Sequence, residues 1–209
     1  MKKVLICLLS LMAAMAVTTS SYAAGVYTLL SADLLALTEV SDVPAGVGAL
    51  TSATPSAGGV WYTGTIDNHA TQFRYLLLGD TTPPVTDLST YSNYALFFEN
   101  KDNNDPWSVN VFLETGSGST YFASSWLALA PGASGAAVLD LSGVSDLDDV
   151  QTVGLGIAYN GDNPGPGGTY QGDAFNILVR PVPEPTSMLL LGIGLVGLAG
   201  GKARKRFKV

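Results

Sequence analysis

The chain has 209 residues, of which 47% are apolar and 13% charged, with ten Lys and Arg against seventeen Asp and Glu. That charged fraction is about half the roughly 25% of ordinary soluble domains, so charge alone does not disorder the chain, and a net charge of −7 argues against nucleic acid, whose phosphates need a basic footprint. One Cys and one His exclude a disulfide scaffold and a Cys/His zinc site.

The chain opens on Met1-Lys2-Lys3, continues without a charge over residues 4–17, and reaches small residues at Ala23-Ala24. These are the basic, apolar and cleavage regions of a secretory signal peptide, expected to occupy residues 1–23. Cys7 lies within it, so the mature protein lacks cysteine and is indifferent to an oxidising compartment.

Residues 24–181 form the expected ectodomain. Its basic residues are Arg74, Lys101 and Arg180, set against sixteen acidic ones, a net −13 that the basic chain ends mask. Such charge keeps a surface protein soluble and repels anionic polymers unless divalent cations intervene. Runs rich in β-branched and aromatic residues predict strands near 27–30, 60–66, 73–78, 94–100, 107–115, 120–129, 136–141, 150–159 and 174–180. Residues 32–37 supply a turn or a strand. Turn clusters such as Thr82-Pro83-Pro84, Gly116-Ser117-Gly118 and Ala130-Pro131-Gly132 separate the runs. The fold class is all-β, a single antiparallel β-sandwich or jelly roll.

Period-two alternation sorts the faces. Trp107, Val109, Val111 and Leu113 share one side, as do Val153, Leu155 and Ile157, and these predict the core. The opposite side carries Asn110, Phe112 and Glu114, and on the next strand Phe122 and Trp126. Aromatic faces stack on apolar sugar CH patches while amides and carboxylates fix orientation, so Asn110, Phe112, Glu114 and Trp126 form a candidate glycan face. The competing reading covers that face and makes the aromatics core.

Other chemistry is thinner. Glycosidase action needs two carboxylates about 5 to 9.5 Å apart, and Glu99, Glu114 and Asp140 are the candidates, against the plainer reading of solvated or turn residues. His69 stands alone without a nucleophile elbow. Gly154-x-Gly156 sits inside a strand pattern with no following helix, so it is no phosphate loop. Glu99, Asp102 and Asp105, with Asn103 and Asn104, gather hard oxygen donors suited to a structural Ca²⁺ ion, against the plainer reading of an Asx-rich turn.

At the C-terminal end, residues 188–201 are uncharged and glycine-rich, about 21 Å long as a helix, a marginal transmembrane span. Lys202, Arg204, Lys205 and Arg206 follow as a cytoplasmic stop. Just before the span stand Pro183-Glu184-Pro185, whose prolines fix an extended segment with few backbone donors. This order over residues 182–209 resembles the PEP-CTERM sorting signal of Gram-negative bacteria. The resemblance implies processing by a membrane-embedded exosortase in cells that make exopolysaccharide. Over residues 86–179 the succession of strands, Asp/Asn loop and Leu-Ala-Pro-Gly turn is similar to galactose-binding-like jelly rolls among carbohydrate-binding modules.

The sequence therefore predicts a non-enzymatic exported protein. It is tethered to the inner membrane before processing, then sits at the cell surface or in the extracellular matrix, associating with glycan or exopolysaccharide. A purely structural surface protein and a carbohydrate-active hydrolase are the alternatives.

Overall fold

Two antiparallel sheets face each other across an aromatic core in the computed structural model, which describes residues 25–40, 48–67, 75–159 and 172–182. The signal-peptide segment, His69, the Pro183-Glu184-Pro185 motif and the expected transmembrane span lie outside the described residues. Among the described residues no helix is long and apolar enough to cross a membrane. The compact unit that contains the sandwich is Tyr27–Val182.

The first sheet runs β1 (Val26–Tyr27), β6 (Asn93–Asn100), β12 (Gly172–Pro181), β4 (Gly59–Asp67) and β3 (Gly48–Ser56), with β10 (Ser134–Asp140) also paired to β6. The second runs β2 (Thr38–Glu39), β5 (Tyr75–Asp80), β11 (Val150–Tyr159), β7 (Trp107–Thr115) and β8 (Thr120–Ala123), with β9 (Leu127–Leu129) also paired to β7. Strands β7 and β11 match their predicted bounds because apolar alternation persists along their whole length. Strand β10 pairs with β6, and β12 with β4 and β6, all antiparallel.

Three elements depart from expectation. Residues 31–36 form a short helix, α1 (Ser31–Ala36), whose Asp33 carboxylate accepts the Leu30 N–H at 3.0 Å, and Leu34 is buried. Strand β3 escaped the sequence pattern because it is mostly Gly, Ser, Thr and Ala, with Pro55 tolerated on an edge strand whose outer side needs no donor. The run 120–129 is two strands. Ser124 turns the chain by donating its N–H to Val111 O at 2.9 Å, while its Oγ accepts the Val111 N–H at 3.2 Å. That three-residue interruption shifts the parity, so Phe122 packs against the core and Tyr121 faces out. Phe122 thus leaves the polar face that simple alternation assigned to it.

Trp107 is fully buried, with Tyr159 and Phe175 edge-on at 5.3 and 5.6 Å between ring centroids. Its Nε1–H donates to Asp102 Oδ2 at 3.2 Å, which satisfies the one polar atom of the ring. Two tyrosines cross the core. Tyr62 donates its hydroxyl to the Leu34 carbonyl, and Tyr94 donates to Gly154 O of the opposite sheet at 3.0 Å. Burial pushes both phenols above their usual range. Replacing Tyr94 by Phe keeps the packing and leaves the Gly154 carbonyl without this donor. Urea titration should then show a loss of about 1 kcal/mol, and no loss would mean that the bond contributes nothing across the sheets.

Candidate functional site

The outer face of the second sheet is built around missing side chains. Gly154 on β11 stands between Gly79 on β5 and Phe112 on β7, and Gly156 stands between Leu77 and Asn110. A Cβ at Gly154 would lie 2.3 Å from Leu78 O and 2.6 Å from two Phe112 ring carbons. At Gly156 it would lie 2.3 Å from Asn110 Oδ1 and 2.8 Å from Trp126 Cη2. The two glycines are floor rather than phosphate loop: without Cβ atoms, the rings lie down onto the backbone.

Phe112 occupies this floor and is buried, reaching towards Gly79 beneath Tyr121, which stacks on it at 5.4 Å and 26°. It therefore belongs to the base of the face and is not one of its exposed rings. The reason is local, since the glycines opposite leave space that an upright phenyl ring would leave empty. Trp126 is half-buried in the interruption between β8 and β9 and packs on Tyr75 at 5.9 Å. Tyr75 and Tyr121 are the exposed aromatics here, at 37% and 46% of their surface. Sequence reasoning missed both. Tyr121 needed the β7–β8 register, which pairs it with Glu114, and Tyr75 needed the register that sets Leu76 inward. The legible signal was the pair of central-strand glycines opposite an aromatic and an amide.

Glu114 lies at the border of the face and accepts the Thr152 hydroxyl at 2.9 Å. Asn110 is nearly fully buried, and its Oδ1 has no hydrogen-bond partner. Burial raises the Tyr121 phenol, with Tyr75 adding to the shift and the neighbouring Asn110 side chain opposing it. The strands thus bring Asn110, Phe112, Glu114 and Trp126 onto one face, with Tyr75 and Tyr121 completing it.

The other acidic candidates are dispersed. Glu99, on the first sheet, is ion-paired with Lys101 and lies 3.7 Å from Arg180 Nη2. Asp102 accepts the N–H groups of Asn104 and Asp105 at 2.9 and 3.3 Å and the Trp107 indole N–H. Asn100, fully buried, fastens the same loop by donating to the carbonyls of Asp105, Leu129 and Ala130 at 2.9, 3.1 and 3.2 Å. The Asp105 carboxyl is pushed up by burial and by Asp102 beside it. Among the described residues no three His, Cys, Asp or Glu side chains converge on a metal position. The expected calcium trio of Glu99, Asp102 and Asp105 is not brought together, because an ion pair and an Asx turn engage two of its three carboxylates.

The hydrolase candidates separate in the same way. Glu99 and Glu114 belong to opposite sheets. Asp140 is exposed and holds the turn Leu141–Gly143 by accepting Ser142 N at 2.9 Å, and hydrogen bonds from the Ser142 backbone and side chain lower its carboxyl. A glycosidase acid needs a raised pKa, so Asp140 is tuned the wrong way.

Residues 181–205 carry the PEP-CTERM protein-sorting motif. The motif marks the chain as sorted and surface-directed. No curated protein matches the chain. Among solved structures, one from a study of promiscuous carbohydrate-binding modules of the β-sandwich superfamily is 13% identical with a TM-score of 0.46, covering 77% of this chain and 64% of the other. An agarase is 10% identical with a TM-score of 0.42, covering 69% of this chain and 24% of the agarase. A family 11 carbohydrate-binding module from Clostridium thermocellum, solved with a β-1,3-1,4-mixed-linked tetrasaccharide, is 9% identical with a TM-score of 0.39, covering 63% of this chain and 82% of the module. The chain spans less than two thirds of the length of the first two.

Proposed function

We propose that this chain is an exported, non-enzymatic surface protein whose sandwich associates with glycan or exopolysaccharide through the outer face of its second sheet. Residues 188–201 tether it to the inner membrane until an exosortase processes the tail. The observation that carries the binding role is the gathering of Tyr75, Tyr121 and Trp126 over a glycine floor. Large rings left partly exposed together on one sheet face mark an interaction surface. Their flat faces suit sugar CH patches, and Glu114 and Asn110 supply directional polar groups beside them.

No second reading gains from the geometry. The three carboxylates considered for hydrolysis do not pair, and each has a local structural task. The test is a glycan array probed with the full chain in mild detergent. Signal is expected on a subset of glycans, and the Tyr75→Ala, Tyr121→Ala double variant should lose most of it. Equal signal from that variant, or none from the parent, would leave a purely structural surface protein.

A further inference from the structure

One group on this face is left unsatisfied by the fold. Asn110 is 2% exposed, and its Oδ1 is buried without a hydrogen-bond partner. The oxygen presses towards Gly156, sharing the space over that glycine with the edge of the Trp126 indole. A buried acceptor without a donor is a standing cost, which an apolar side chain of the same size would avoid. A buried group left unpartnered calls for an explanation, and one that opens onto a binding face is explained when a ligand supplies the missing partner.

Charge narrows the ligand further. Among the described residues, Glu114 is the charged side chain that the strands place on this face, while Lys101 and Arg180 belong with Glu99 to the first sheet. The ectodomain around it is strongly acidic. A uronate or sulfate arriving here meets repulsion and, among the described residues, no cation to pair with.

We infer that Asn110 Oδ1, covered by Trp126 in the free protein, reads the ligand by accepting a hydroxyl hydrogen, and that Glu114 restricts the face to uncharged sugars. The inference rests on the reading of this face as a glycan site and names its specificity. When the indole swings aside to stack on a sugar ring, the amide oxygen gains access to a hydroxyl, and the cost stored at Asn110 is relieved by binding. A site built around one such hydrogen bond discriminates strongly against ligands that lack the donor.

The experiment compares retention of the full chain in native gels containing hydroxyethylcellulose or xylan with gels containing alginate or polygalacturonate. Neutral gels should retain the parent protein, and polyuronate gels should not. Asn110→Leu should weaken retention on neutral gels by about tenfold or more while melting no lower than the parent. Glu114→Gln, which can still accept from Thr152, should admit polyuronates. Unchanged neutral retention of Asn110→Leu overturns the role of the amide, as does polyuronate retention of the parent equal to its neutral retention. Should Asn110→Leu fail to fold, Glu114→Gln decides, and its continued exclusion from polyuronate gels overturns the inference. Retention of the parent by none of these gels counts against the glycan face itself.

Discussion

Trp107→Ala is expected to be among the most damaging single substitutions in the sandwich, costing about 3–5 kcal/mol. The ring is fully buried at the start of β7, edge-on to Tyr159 and Phe175, so the surrounding strands cannot close the space that it leaves. Its loss also frees Asp102 Oδ2, which holds the loop over residues 101–106 against the core. For a domain of this length, that cost lowers Tm by roughly 10 °C or more. Trp107→Phe separates the two contributions in part, since it retains much of the packing while removing the indole N–H. It should cost about 1–3 kcal/mol. Thermal melts of both variants followed by far-UV circular dichroism give the comparison. An alanine variant losing less than about 1.5 kcal/mol would mean that the ring does not anchor the core as described.

What the sequence disclosed depended on how far a pattern persists. In β7 and β11 the alternation runs for nine and ten residues, long enough for one side to declare itself as core, and the strand bounds followed. In the run 120–129 the alternation is broken by Ser124-Ser125-Trp126, whose hydrogen bonds to Val111 are made across strands and leave no periodic trace. Phe122 was therefore placed on the polar face, which in the fold belongs to Tyr121. Strand β3 is an edge strand of small and hydroxyl-bearing residues, held by backbone pairing with β4 and by the Ser52–Thr63 hydroxyl bond at 2.8 Å, so hydrophobicity does not reveal it.

The face itself was partly readable for the same reason. Asn110, Phe112 and Glu114 share the outward parity of a strand whose other side is plainly apolar. How deep each one sits was not readable, because depth is set by the neighbours on β11. Gly154 and Gly156 draw Phe112 and Asn110 down onto the backbone, leaving the exposed positions to Tyr75 and Tyr121. The Asp-rich loop shows the opposite lesson. Its composition suits calcium, yet Asn100 and Asp102 spend their polar atoms on backbone N–H and C=O groups and on Trp107, which is what holds this turn in shape.

The second large effect is expected at Trp126, in binding rather than in folding. The indole is half-buried, tilted against Tyr75 and set over Gly156, so it covers the face without filling the core. A large ring at the centre of a contact surface is the usual energetic anchor of such a surface. Its truncation should cost about 2 kcal/mol or more of binding, roughly thirty-fold in affinity. The same truncation removes few core contacts, so the fold should lose well under the about 3–5 kcal/mol of a fully buried tryptophan. Trp126→Ala is to be measured for retention in a neutral polysaccharide gel, with its melt recorded on the same preparation. Retention is expected to collapse while the melting temperature falls by only a few degrees. Retention equal to the parent's, or a stability loss as large as that of Trp107→Ala, would contradict this expectation.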